Sequence, residues 1–368
     1  MQYNWQQADW PDFRYDPGEL EDKLYSFAGR AGRIEGLLAG VPADRGSEIA
    51  IDLMVAEAIK TSAIEGEYLS REDVQSSIRN NLGLNHPQQR VSDLRAQGAA
   101  ELMVAIRRTY RDPLTEPILF TWHRMIMKGN QLVKTGAWRD HRDPMQVISG
   151  PVGRFVVHYE APPSNQVPVE MKRFIRWFNN TGPGGKYEIK KAVVRAGIAH
   201  LYFESIHPFE DGNGRIGRAI AEKALSQTLG RSALLSLSRV FESDRKAYYA
   251  ALGQAQRSNE ITAWLKYFAA VALEAQVDAE SMVAFTLKKT LFFDRFRPRL
   301  NARQAKVARR MLAEGPNGFE GGMSAKKYIA ITRCSKATAT RDLQDLVDKE
   351  VFLVSGAGRS TRYTVNLV

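Results

Sequence analysis

The stretch His-Pro-Phe-Glu-Asp-Gly-Asn-Gly-Arg-Ile-Gly-Arg, residues 207–218, decides how this chain is read. It stands between two helical runs. Residues 190–206 follow a helical pattern, and the run after the loop repeats apolar residues at Ile216, Ile220, Ala224 and Leu225, with Gly230 at a natural stop. A helix therefore ends, a loop of at most twelve residues follows, and a second helix starts. Such a junction is an anion site. Gly212 and Gly214 can adopt positive φ, which lets consecutive N–H groups face one concavity. The second helix adds its positive N-terminal end. Arg215 and Arg218, three residues apart, share a helix face and offer two guanidinium forks to phosphate oxygens. Asp211 is a hard oxygen ligand where Mg²⁺ on a nucleotide would want one. His207 can titrate near neutral pH and accept a hydroxyl proton. Each element alone has a plainer explanation: Asp-Gly-Asn-Gly is a common turn, and a His before Pro often does no more than end a helix. A calcium loop is excluded, because Arg215 and Ile216 stand where the ligand and glycine belong.

Working outward, most of the first 285 residues read as helix. Ser47 opens a segment with Ala50, Leu53, Met54 and Ala58 at helical spacing, and Gly66 is a plausible end. Ser70 followed by Asp73 resembles a capping box. Pro117 suits a first helical turn ahead of a run that Gly129 ends. A further helix is expected from about Pro168 through Asn180. The loop after it, Thr-Gly-Pro-Gly-Gly-Lys, is no Walker A motif: its first glycine is misplaced and Tyr follows Lys186. One hairpin interrupts the helices. Val147 and Ile148, then Phe155, Val156, Val157 and Tyr159, flank Gly150, Pro151 and Gly153. A lone hairpin is marginally stable, so it must lean on something or offer an edge.

Composition bounds the rest. The 368 residues leave room for two or three domains, and 44% hydrophobic with 25% charged residues is ordinary for a globular chain. The start, Met-Gln-Tyr-Asn-Trp, is not a signal peptide, and no apolar run reaches membrane-spanning length. A single cysteine, Cys334, rules out an intramolecular disulfide. The expectation is a cytoplasmic protein with no membrane partner. The net charge of +11 is localised: residues 286–368 hold 17 Lys and Arg against 7 Asp and Glu, which leaves about +1 for the rest. That asymmetry fits a polyanion partner or, equally, a basic soluble face.

Residues 207–218 meet every fixed position of His-Pro-Phe-x-Asp/Glu-Gly-Asn-Gly-Arg-x-x-Arg, and in this the chain resembles the Fic family. The resemblance implies a mainly α fold: a Fic-type helical core with a β-hairpin flap, here followed by a C-terminal winged helix-turn-helix domain. It implies a protein adenylyltransferase that moves AMP from ATP to a Tyr, Ser or Thr hydroxyl of a target protein or of itself. His207 would be the general base. Asp211 would hold Mg²⁺, while Gly212, Asn213 (side chain included) and Gly214 cradle the phosphates. Arg215 would contact the β-phosphate region and Arg218 the γ-phosphate, with Phe209 anchoring the loop. Glycine at 214, where kinase-like relatives carry Lys, favours nucleotidyl transfer. The hairpin, residues 145–159, would be the flap that pairs with a target's backbone. Tyr248, of the pair Tyr248–Tyr249, would border the adenine.

The segment Thr61-Ser-Ala-Ile-Glu65-Gly66 resembles the family's inhibitory motif, so Glu65 is expected to pair with Arg218 and block the γ-phosphate. The acid would also sit at a helix C-terminus, where the dipole disfavours it by a few tenths of a kcal/mol or more. In some relatives the same glutamate supports AMP removal. The division expected is 1–95, an N-terminal helical region with the inhibitory motif; 96–285, the catalytic core; and 286–368, a linker helix and winged helix. In the last, a third helix capped by Ser335 presents Lys336, Thr338, Thr340 and Arg341, and a wing supplies Arg359 and Arg362. DNA bound through 324–368 is one partner this implies. Winged helices also dock proteins or form homodimers. The competing function is a DNA-binding transcription regulator whose Fic domain only senses nucleotide, but a sensor has no need of the base at His207.

Overall fold

The helix that precedes the motif is apolar on almost every face, and the first part of the chain is built around it. In the computed structural model, which describes residues 2–39, 43–150, 154, 156–316 and 318–367, the chain divides into two units, Met1–Ala279 and Glu280–Val368. Unit 1 begins with α1 (Glu21–Ala39), α2 (Ala43–Ile64), α3 (Arg71–Asn81), α4 (Leu94–Thr109) and α5 (Glu116–Ile126). The hairpin β1 (Gln146–Ser149) and β2 (Val156–Glu160) follows, then α6 (Val167–Asn180), α7 (Ala192–Ile206) and α8 (Asn213–Leu229). Next come α9 (Leu237–Ser243), α10 (Arg245–Ala255) and the long α11 (Thr262–Phe296), within which the boundary falls. Every residue of α7 from Val193 to Ile206 is buried, as a helix without a polar face must be. It packs on α8 and α6, while α2, α4, α5 and α9 close around α8.

The helix signals act where the sequence puts them. Ser70 accepts from Asp73 N to cap α3, Thr115 caps α5 with Pro117 in its first turn, and Gly230 takes the left-handed conformation that ends α8. The hairpin pairs antiparallel from Gln146 opposite Glu160 to Ser149 opposite Val156, with an irregularity between Val147 and Ile148. Pro151, Gly153 and Phe155 lie outside the described residues. The hairpin does lean on something: the buried Tyr159 donates its hydroxyl to Ser205 O at 2.5 Å, and Trp5 Nε1 donates to Glu160 O at 2.8 Å. Its tip side stays apolar and open, with Ile148 and Val156 more than half exposed. The N-terminal segment is built into the same unit. Asn4 is buried and bonds Ser205 Oγ, and Trp10 packs edge-on against Tyr202.

Unit 2 continues with α12 (Ala302–Leu312), α13 (Ala325–Thr332), α14 (Lys336–Asp348) and an antiparallel pair, β3 (Phe352–Ser355) with β4 (Arg362–Val365). Its core joins Phe292, Phe296, Val307, Tyr328, Leu343 and Phe352. Asp342, almost buried, ties three helices together by accepting from Arg303 Nε at 2.7 Å, Tyr328 Oη at 2.9 Å and Asn301 Nδ2 at 3.2 Å. Ser335 caps α14 as expected. Among the described residues, no helix is long and apolar enough to cross a membrane.

Candidate active site

The loop between α7 and α8 is held by contacts that leave it little freedom. α7 ends at His207, whose left-handed backbone (φ 50°) turns the chain, and Pro208 prevents continuation. Gly212 re-enters at φ 80° as N-cap of α8, where a Cβ would collide with Ile126 Cδ1. Three buried side chains clamp the backbone between. Asn213 closes on Phe209 from both ends, Oδ1 accepting from its N–H at 2.9 Å and Nδ2 donating to its C=O at 2.8 Å. His123 stacks on Phe209 with ring centroids 4.0 Å apart. Its Nδ1 accepts from Gly136 N at 2.8 Å, so Nε2 carries the proton and donates to Asp211 O at 3.2 Å. Burial pushes the His123 imidazole down to about 4, which keeps it neutral. Arg139, buried, donates to His207 O at 2.8 Å, Pro162 O at 2.5 Å and Ser164 Oγ at 2.9 Å. It joins the turn at His207 to the chain leaving the hairpin.

The first N–H groups of α8 have no carbonyl a turn earlier to bond, as at any helix start. Beside them stand Arg215 and Arg218, 4% and 2% exposed. Both are already engaged. Glu65, just past the end of α2, places Oε1 at 2.7 Å from Arg218 Nη2, and Thr61 accepts from Arg218 through Oγ1 at 2.8 Å and O at 3.0 Å. Burial weakens the Arg218 charge, but Glu65 more than offsets it, and the guanidinium is held above its ordinary value. Glu67 reaches Arg215 Nη1 at 2.8 Å. The unfavourable end of α2 is itself covered by Arg245, which donates to Ala63 O and Ile64 O at 2.9 and 3.0 Å.

Asp211 keeps a half-exposed carboxylate. One oxygen accepts from Gly212 N at 2.6 Å and the other lies 3.9 Å from Arg215 Nη2. A single hard carboxylate beside an anion site fits Mg²⁺ that arrives with phosphate oxygens of its own. Among the described residues no cluster of three His, Cys, Asp or Glu side chains could enclose a metal.

The structure differs from the sequence-based expectations at three positions. Gly214 lies inside α8 and does not use positive φ; a Cβ there would fall on Glu65 Oε1 and within 3.0 Å of Arg218 Nη1, so the Glu65–Arg218 pair could not keep its present position. The Asn213 carboxamide is spent on Phe209 rather than turned to the cradle, so its service to the site is to fix the loop. Tyr248 is in the core: it is 1% exposed, its hydroxyl bonds His200 Nε2 at 2.8 Å, and its ring meets Phe241 at 4.4 Å. Its neighbour Tyr249 is 46% exposed. Burial raises the Tyr249 phenol to about 12, helped by the charge of Glu65. The signal was present, since Tyr248, Leu252 and Ala255 fall on one helical stripe and Tyr249 falls off it. Arg139, His123 and Glu67 had no comparable signal.

Parts of the chain are similar to known proteins. Residues 113–225 match the model of the Fic/DOC family, and residues 3–84 match a domain of unknown function, DUF4172. A probable protein adenylyltransferase of Aquifex aeolicus is 29% identical over 119 residues, which span 32% of this chain and 33% of that protein. A crystal structure of a Fic family protein from Desulfovibrio desulfuricans shares the fold at TM-score 0.57 and 21% identity, covering 97% of this chain and 98% of its own. A Fic domain containing signaling protein from Bacteroides thetaiotaomicron does so at TM-score 0.50 and 15% identity, covering 71% and 95%.

Proposed function

We propose that the chain, whose residues 113–225 match the model of the Fic/DOC family, transfers AMP from ATP to a hydroxyl side chain of a protein, itself or another. One observation carries this proposal: a single clamped loop joins an imidazole, His207, to a helix start flanked by two buried arginines. A nucleotide sensor would need only the second half of that arrangement. The phosphates lie at the N-terminus of α8, with Arg215 and Arg218 on the β and γ groups. His207 removes the proton as the acceptor oxygen attacks the α-phosphorus, and the bond to pyrophosphate breaks on the opposite side. The protein's contribution is placement and charge neutralisation. Mg²⁺ held by Asp211 would supply further neutralisation of the phosphates. The hairpin's open edge and exposed Ile148 and Val156 suit strand addition by a target segment. Tyr249, not Tyr248, is the aromatic available to the adenine.

The resting chain is restrained, because the segment after α2 occupies both arginines that the phosphates need. Glu65 holds Arg218, and Glu67 holds Arg215. Intact-mass spectrometry of the wild type, Glu65→Gly and Glu65→Gly/His207→Ala, each with ATP and Mg²⁺, tests the scheme. AMP adducts should rise in the first variant and vanish in the second. Equal labelling with and without His207 counts against it.

Unit 2 adds a second activity, binding of duplex DNA. α13 and α14 form a helix-turn-helix arrangement, and α14 leaves Lys336, Thr340, Arg341 and Gln344 on one exposed face. Thr338 is instead half-buried and bonded to Ser335, and the Arg359 side chain lies outside the described ones. Phosphate contacts make affinity fall steeply with salt. A salt-independent affinity, or one unchanged by Lys336→Ala/Arg341→Ala, is the contrary result.

A further inference from the structure

One buried carboxylate beside the imidazole serves neither the phosphate site nor the restraint on it. Glu204 stands on the last turn of α7, three residues before His207, so both side chains leave the same helix face. It is 4% exposed. Its Oε2 lies 3.7 Å from His207 Nδ1, and its Oε1 has no hydrogen-bond partner among the described residues. Leaving a buried carboxylate so thinly bonded is costly unless a cation forms beside it. α8 leaves room for it only because residue 217 is glycine: a Cβ there would fall on Glu204 Oε1.

Tyr159 of the hairpin and Tyr248 and Tyr249 of α10 lie within reach of its charge. His200 stands one turn earlier on α7, and the Arg218 guanidinium faces it from α8. Burial pushes the Glu204 carboxyl up, but His207, His200 and Arg218 together outweigh burial and hold it below its ordinary value. The group is therefore an anion at neutral pH. Arg139 already fixes the backbone of His207 by its bond to His207 O at 2.8 Å, which leaves only the ring's rotation and tautomer to be set.

We propose that Glu204 is the positioning residue for His207. From 3.7 Å, beyond hydrogen-bond length, its charge draws the Nδ1–H edge of the ring toward it, which leaves Nε2 as the basic nitrogen, and it faces the imidazolium once the proton is taken. This is the base-and-orienter arrangement of general base catalysis, with an anion that never meets substrate. The proposal rests on His207 being the base. It names the group that makes His207 effective rather than another ligand of the nucleotide.

Two measurements separate the two claims. In the full chain with ¹³C-labelled histidine, and with the His207 signal identified by its loss in His207→Ala, the imidazole should give up its proton at lower pH in Glu204→Gln than in the wild type. That readout needs no activity, and an unmoved titration overturns the proposal. In the Glu65→Gly background, Glu204→Gln should then lower kcat for AMP transfer about 10–100-fold and move the acid limb of its pH profile to lower pH, with KM for ATP within about twofold. A parallel rise in KM with a lowered melting temperature marks a merely structural role and also overturns it. Transfer that survives His207→Ala sinks the base assignment, while the titration still reports on Glu204.

Discussion

Replacing Glu65 by glycine should loosen the empty protein and tighten its hold on ATP by similar amounts. The pair being broken is a 2.7 Å charge-assisted contact to a guanidinium that is almost completely buried, with the carboxylate partly in solvent. A hydrogen bond of this kind contributes about 1.5–3 kcal/mol. Thr61 continues to accept from Arg218 through two oxygens, so the arginine stays in place but loses its nearest counter-charge and keeps only the more distant Glu204. Without ligand the variant should unfold about 1.5–3 kcal/mol more easily, a fall of several degrees in Tm for a unit of this size. With ATP the γ-phosphate takes the place of the carboxylate. The same free energy then appears as affinity, about 10–150-fold at 1.4 kcal/mol per decade. Calorimetric titration with ATP, ADP and AMP reads this directly, since a gain that belongs to Arg218 must be largest for ATP. Glu67 still holds Arg215 in this variant, so adding Glu67→Ala should bring a further gain, shared with ADP. Equal gains for all three nucleotides, or none, would refute the assignment of Glu65 to the γ-phosphate position.

Other outcomes follow from the clamps around the loop. Asn213→Ala strands the buried N–H and C=O of Phe209 and should cost about 2–4 kcal/mol in urea unfolding, with or without nucleotide. His123 is held at about 4 when folded, against 6.5 ordinarily. Below pH 6.5 the unfolded chain takes up a proton that the folded one refuses until about 4. Stability therefore falls as pH drops through that window, by up to about 3 kcal/mol at 1.36 kcal/mol per unit. His123→Gln should flatten that part of the pH dependence of urea unfolding. Tyr249→Ala should weaken ATP binding with little effect on Tm. Tyr248→Phe should cost about 1 kcal/mol through the lost bond to His200 and leave ATP affinity unchanged.

What the sequence alone determined is what the backbone decides locally. Ser70, Thr115 and Pro117, Gly212 and Gly230 each start or stop a helix through their own φ preferences or capping groups, and β-formers around a glycine turn make the hairpin. For the same reason the motif loop was legible as a turn between two helices. Whatever depends on which helix faces which was decided only by packing. His123, Arg139 and Glu67 meet the loop and its arginines across 88, 68 and 148 residues of sequence, and nothing in their neighbours announces it. Glu65 was found through the resemblance to a known motif, since its partner lies 153 residues away. Tyr248 and Tyr249 show the boundary most clearly. The helical period puts Tyr248 on one stripe with Leu252 and Ala255, but only the tertiary neighbours, Phe241 and His200, bury its ring and bind its hydroxyl. A chain writes its turns in single residues, whereas a binding site is made by surfaces that meet only after the helices have packed.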